Sequence, residues 1–192
     1  MNLTGILLCG GKSSRMGKDK ALIEVQDRPM YSIPLKLLQN YCSEILISAN
    51  DGRFNNLGYP VIKDEFIDIG PMGGIYSCLK QARNSHCLVL ACDMPLVTGN
   101  IIDRMLSKNE DFDAICPMLN NKPEPLQAMY HKRITGLIEL SIRSNTYSIQ
   151  KLLSKLSVHY IEIKNENRVE LFNANTPNDL IQYEQIIRTK LS

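Results

Sequence analysis

Residues 4–9 form an almost unbroken apolar run (Gly5, Ile6, Leu7, Leu8) that breaks into paired glycines. A short apolar stretch bounded by turn residues reads as a buried strand. Similar runs occur at 44–49 (Ile45, Leu46, Ile47) and, more briefly, at 60–63. The run at 86–92 is continuous through Cys87, Leu88, Val89, Leu90 and Ala91, which predicts a central strand covered on both faces.

Between these runs the apolar positions change period. Met30, Ile33, Leu37, Leu38 and Tyr41 recur at helical spacing, with Pro29 placed for a first turn. Pro34 is expected to kink that helix or to shift its start. Ile75, Leu79 and Ala82 mark a helix after the turn at Gly70-Pro71, and Ile101, Ile102, Met105 and Leu106 mark another. A strand is predicted at 114–117. In the second half, 126–130 and 158–163 read as strands, and 134–142 and 149–156 as helices. Thr176-Pro177-Asn178-Asp179 opens the last helix: Thr176 caps, Pro177 suits the first turn, and Asp179 suits the positive helix end. The alternation predicts an α/β fold, Rossmann-like and three-layered, with a mainly parallel central sheet. No repeat, low-complexity tract or linker interrupts residues 1–192, so a single domain is expected.

Composition narrows the function classes. With 22 Lys+Arg against 20 Asp+Glu, there is no basic excess of the kind that binds nucleic acid non-specifically, so anions must be met by locally placed cations. No run approaches the roughly 18 apolar residues of a spanning helix, and the apolar start is too short for a signal peptide. No membrane association is expected, and the location expected is cytoplasmic. The six cysteines lie mostly inside apolar runs without a C-x-x-C pair, which reads as buried free thiols. His86, His131 and His159 have no implied catalytic partner and read as structural.

Chemistry concentrates in two places. The loop after the first strand runs Leu8-Cys9-Gly10-Gly11-Lys12-Ser13-Ser14-Arg15-Met16-Gly17-Lys18-Asp19-Lys20-Ala21. Paired glycines let backbone N–H groups turn toward an anion, Arg15 can grip phosphate oxygens with a planar fork, and Lys20 supplies a point charge. It is not a Walker A loop, because Ile6 stands where the first glycine belongs, and the Gly-x-Gly of the dinucleotide fingerprint is absent. The plainer alternative is a solvated turn with ordinary surface lysines. The second place is Ala91-Cys92-Asp93-Met94-Pro95, where an apolar strand delivers Asp93 to its carboxyl end. A carboxylate there suits Mg²⁺, which takes one or two carboxylates plus substrate phosphates; otherwise Asp93 caps the turn after the strand.

Together, Leu8 to Gly11, Arg15 to Gly17, Asp19 to Ala21, Gly70 to Gly74, Cys92 to Pro95 and Phe172-Asn173-Ala174-Asn175-Thr176-Pro177 resemble the molybdenum cofactor guanylyltransferases. Glu124-Pro125-Leu126-Gln127-Ala128 resembles that family's middle region more loosely, and the likeness extends to about Leu180.

The resemblance implies a nucleotidyltransferase fold and transfer of GMP from GTP to a molybdopterin phosphate, with Mg²⁺ as cofactor. It implies that Leu8, Cys9, Gly10, Gly11, Lys20, Asn50 and Asp64 contact GTP, and that Asp93 contacts both nucleotide and metal. Asn173 and Asn175 would approach the pterin or, for Asn175, the metal. Lys20 would stabilise the transferring group and Arg15 the departing pyrophosphate. For Asp64 there is a chemical reason, since a carboxylate accepts from both N–H groups on guanine's Watson–Crick edge. Asn50 could otherwise be a turn residue, Asn175 part of the turn before the Thr176 cap, and Asp64 a ribose contact or a turn cap. Alternatives in function are a relative with another base or acceptor (a cytidylyltransferase on the same pterin, or a sugar-phosphate or isoprenoid nucleotidyltransferase) and a non-catalytic nucleotide-binding module. An unstable product destined for other enzymes implies transient contacts with proteins that deliver or receive the cofactor.

Overall fold

The structure, a computed structural model, describes residues 2–10, 20–108 and 111–191, without the side chains of 190 and 191. Its main sheet is eight-stranded. In chain order its strands are β1 (Leu3–Leu8), β4 (Glu44–Ser48), β5 (Val61–Ile62), β6 (His86–Ala91), β7 (Ala114–Leu119), β8 (Lys122–Pro123), β9 (Gln127–His131) and β10 (Val158–Glu162). A separate two-stranded hairpin is made of β2 (Glu24–Val25) and β3 (Arg28–Pro29). The spatial order is β10-β7-β9-β6-β1-β4-β5, with β8 paired to β7. β1 lies parallel between β4 and β6, and β10 is parallel to β7. β9 is inserted antiparallel between β6 and β7. The mainly parallel sheet expected from the sequence is therefore present, with β9 and the two-residue β8 reversed.

The helices are α1 (Ser32–Tyr41), α2 (Pro71–Gln81), α3 (Gly99–Leu106), α4 (Thr135–Arg143), α5 (Ile149–Leu153) and α6 (Pro177–Leu191). They cover both faces of the sheet, because alternate strand residues point to opposite sides. Leu3 and Leu7 of β1, with Leu88 and Leu90 of β6, pack with Leu35 and Leu38 of α1 and Ile101, Ile102 and Met105 of α3. Ile6, Leu8, Cys87 and Val89 turn the other way, against Met72, Ile75 and Leu79 of α2 and Ile138 and Ile142 of α4. Burial on both faces explains why β1 and β6 read as continuous apolar runs rather than alternating ones.

Some local expectations shift. Pro29 lies in β3, not in a helix, and α1 begins at Ser32, so Pro34 falls in the first turn, where a missing N–H costs nothing. Met30 packs ahead of the helix in a small third cluster with Val25, Leu96, Ala174 and Tyr183, which joins the hairpin to α6. The 149–156 helix ends at Leu153. All six cysteines are free thiols. His86 and His131 are cross-strand partners with rings 4.8 Å apart, at the start of β6 and hence at the sheet end opposite its carboxyl edge. Among the described residues, no helix is long and apolar enough to cross a membrane.

Candidate functional site

β1, β4, β5 and β6 all end at the same edge of the sheet, and their parallel register sets the segments beyond them side by side. Cys9 N–H donates to Ser48 O at 2.9 Å, and Cys92 N–H donates to Leu8 O at 3.0 Å. Leu8, Cys9 and Gly10 are thus held between the ends of β4 and β6. Their contribution is backbone: the Cys9 thiol is hydrogen-bonded to Cys92 and buried, which pushes its pKa far up and leaves it no nucleophile.

On the β4–β5 side lies a cavity of about 450 Å³, walled by Leu8, Gly10, Ser48, Asn50, Asp64 and the start of α2 at Gly70, Pro71 and Gly74. Asn50 and Asp64 grip each other reciprocally. Asn50 Nδ2 donates to Asp64 Oδ2 at 3.1 Å, and Asp64 N–H donates to Asn50 Oδ1 at 2.8 Å. Burial raises the Asp64 pKa, against the hydrogen bonds from Asn50 and Ser48. Gly74 has no room for a side chain: a Cβ there would stand 2.2 Å from Ser48 Oγ. Gly70, with φ at 73°, ends the preceding loop in a left-handed conformation that glycine adopts freely. The N-terminus of α2 therefore meets the cavity with the positive end of its dipole, although Pro71 brings no N–H and Gly73 N–H donates to Gly70 O at 3.2 Å.

On the β6 side, Lys20, Asp93 and Asn175 converge. Lys20 Nζ lies 3.5 Å from Asp93 Oδ2 and donates to Asn175 Oδ1 at 2.6 Å. The Asp93 side chain is 16% exposed, and its buried Oδ1 has no hydrogen-bond partner among the described residues. Burial raises the Asp93 pKa, and the Lys20 charge opposes that rise. A buried carboxylate oxygen with nothing to satisfy it is costly, so a cation or a donor from a ligand would relieve it. Among the described residues no group of three or more His, Cys, Asp or Glu could hold a metal. The carboxylate oxygens of Asp93 are ligands of the kind a hard cation takes alongside phosphates and water.

Asn175 is placed by the start of α6. Asp179 Oδ2 accepts the N–H groups of Asn175 and Thr176 at 2.8 and 2.7 Å, while Thr176 Oγ1 accepts Asp179 N–H at 3.3 Å. The Thr176 cap is the one the sequence predicts, and the Asp179 carboxylate makes it reciprocal. Ala174 N–H donates to Asp93 O at 2.8 Å, clamping the segment onto the end of β6.

Asn173 turns to the other side, where Nδ2 donates to Glu124 Oε2 at 3.1 Å. Burial raises the Glu124 pKa; hydrogen bonds from Asn173 and Leu126 oppose this, and the nearby Asp93 charge adds to it.

The candidates named from the sequence thus divide. Leu8, Gly10, Asn50 and Asp64 line the cavity; Lys20, Asp93 and Asn175 meet beside it; Cys9 sits between, and Asn173 lies next to Glu124. Gly11 and Arg15 lie outside the described residues. Sequence reasoning missed Ser48, whose hydroxyl faces both Asp64 and Gly74, and gave Glu124 no role although it noted the Glu-Pro-Leu-Gln run.

A lysine and a buried carboxylate at the carboxyl edge of a parallel sheet, beside a cavity of nucleoside size, make a place for a nucleotide, and the class of protein is a nucleotidyltransferase. The family model for the MobA-like NTP transferase domain matches residues 5–159, and the chain belongs to that family. It is 31% identical, over 96% of both chains, to a Clostridium perfringens protein named "Probable molybdenum cofactor guanylyltransferase". It is 32% identical to a protein of the same name from Pelotomaculum thermopropionicum, over 95% of this chain and 92% of that one. The fold is also that of molybdopterin-guanine dinucleotide biosynthesis protein A from Archaeoglobus fulgidus, with a TM-score of 0.82 at 23% identity over 97% and 99% of the two chains.

Proposed function

We propose that this enzyme transfers GMP from GTP to the terminal phosphate of molybdopterin, releasing pyrophosphate. The observation that carries the base assignment is Asp64. Its carboxylate is held by Asn50 and Ser48 in a cavity walled on one side by Leu8 and Gly10. Guanine offers two N–H donors on one edge, which a carboxylate accepts together. Adenine and cytosine each present a ring-nitrogen acceptor there, and pairing it against a carboxylate leaves two buried acceptors facing each other.

An acceptor phosphate oxygen attacks the α-phosphorus, the bond to the β-phosphate oxygen breaks, and pyrophosphate leaves with its electron pair. No protein nucleophile is needed, so the work is positioning and charge stabilisation. Lys20, steadied by Asn175, neutralises charge on the transferring phosphoryl group. Asp93 would hold Mg²⁺, which supplies charge neutralisation along the phosphates when bound. Arg15 is assigned to the departing pyrophosphate on sequence resemblance alone. Asn173 faces the acceptor, on the side of β6 away from the base cavity.

The test is a pyrophosphate-release assay with GTP, ATP or CTP, Mg²⁺ and molybdopterin. Release is expected with GTP and only in the presence of molybdopterin. A preference for CTP, or no GMP transfer to the pterin, overturns this reading.

A further inference from the structure

Glu124 lies at the carboxyl edge of the sheet in the connection from β8 to β9, with its N–H donated to Pro117 O at 2.8 Å. Along that edge the order is β5 and β4 with the base cavity, β1 with Gly10, β6 with Asp93, then β9 and β7 with Glu124. In an in-line transfer the acceptor oxygen attacks the α-phosphorus opposite the departing pyrophosphate, so the acceptor needs a place of its own along this edge. If the nucleoside lies on the β4–β5 side and the phosphates at Asp93, the acceptor falls on the Glu124 side.

The chemistry of that side is specific. Asn173 spends its amide hydrogens on Glu124 Oε2 at 3.1 Å and on Leu171 O at 3.4 Å. With both amide hydrogens engaged, its Oδ1 is the atom left to accept, beside a carboxylate already anchored by the Leu126 N–H. Both residues are only partly buried. The pair therefore offers acceptors and no donor. A phosphate would be repelled by it; a ring edge carrying adjacent N–H donors would be taken up.

We propose that Glu124, with Asn173 oriented by it, reads the pyrimidinone edge of the pterin acceptor through its ring N–H and exocyclic amino group, and is the acceptor-specificity residue of this enzyme. This rests on the proposed use of a pterin acceptor. The same two-donor edge that Asp64 accepts in guanine is then accepted at the opposite side of the transfer site by a second carboxylate.

Glu124→Gln tests it with little risk to folding, because the glutamine oxygen still accepts from Asn173 while the other position becomes a donor. The decisive measurement is equilibrium binding of neopterin monophosphate, a stable fluorescent pterin phosphate, to wild type and variant, with GTP affinity measured alongside. Binding to the variant should be weaker by roughly tenfold or more, as for a site whose buried acceptor loses its donor, with GTP affinity within about twofold. Equal pterin binding by both proteins, no binding by wild type, or a parallel loss of GTP affinity overturns the proposal. Steady-state transfer to molybdopterin separates the two readings. A raised KM for molybdopterin at near-normal kcat fits recognition by Glu124. A lowered kcat at unchanged KM makes Glu124 a support for the Asn173 segment instead and overturns its role in recognition. Failure of wild type to transfer GMP removes the proposed function but leaves the binding result to judge the Glu124 surface.

Discussion

Lys20 Nζ donates to Asn175 Oδ1 at 2.6 Å across 155 positions of sequence, and the same ammonium lies 3.5 Å from Asp93 Oδ2. The amide and the carboxylate together set the position of the ammonium at the carboxyl end of β6. Lys20→Ala should lower kcat on the order of a hundredfold while changing GTP affinity far less, as for an interaction made mainly in the transition state. Asn175→Ala should reduce kcat by a smaller factor, and the double variant should resemble Lys20→Ala alone, because the two act as a unit. Single-turnover rates and GTP binding check this. Fully additive losses, or a purely KM effect, would count against it.

Asp93 sets function against stability. Burial raises its pKa, so the folded state disfavours its ionised form. For a carboxyl group raised in this way, the stabilising contribution is complete below the ordinary carboxylate range and lost as pH rises through the folded-state value. Asp93→Asn should leave Tm at neutral pH equal or higher, with the difference shrinking as pH falls below the carboxylate range, while Mg²⁺-dependent turnover drops on the order of a hundredfold. Thermal unfolding across pH and a turnover assay test both halves. A clearly lower Tm at neutral pH would show that Asp93 is structural.

Asp64→Asn should weaken kcat/KM for GTP by roughly tenfold or more, since the amide replaces an acceptor with a donor against guanine. ATP should be affected much less, because no favourable pairing with the carboxylate is lost. Comparing the two nucleotides in wild type and variant decides the point. An equal loss with both would move Asp64 from the base to the ribose.

Gly74→Ala places a Cβ 2.2 Å from Ser48 Oγ and 3.4 Å from Asp64 Oδ1. Overpacking of this kind costs about 1–3 kcal/mol, and here it also disturbs Asp64. The variant should lose both Tm and GTP affinity, and Ser48→Ala introduced beside it should restore part of each by removing the clashing oxygen. Thermal shift with and without GTP reads both. No rescue by Ser48→Ala would mean that Gly74 matters for the α2 backbone rather than for the cavity wall.

The layered α/β arrangement was legible because strands buried on both faces must be apolar throughout, as in β1 and β6, while helices covering them repeat at their own period. Gly10, Asn50, Asp64 and Asp93 were legible for a related reason: parallel strands end at one edge, so polar residues just past apolar runs gather there. The two-residue strands of the β2–β3 hairpin and β8 were not, since they are too short to show a period and are marked only by left-handed turn residues, Gln26 and Asp27 in one case and Asn120 and Asn121 in the other. Met30 fits a helical repeat but packs in the cluster that joins this hairpin to α6.

Nor could local pattern disclose that Asn175 holds Lys20, that Glu124 meets Asn173, or that Ser48 fills the space beneath Gly74. Periodicity records which face each segment buries. Which polar groups then converge, and which carboxylate is left buried with an oxygen unmatched, depends on how distant segments close over the sheet edge, because desolvation and hydrogen bonding act between neighbours in space.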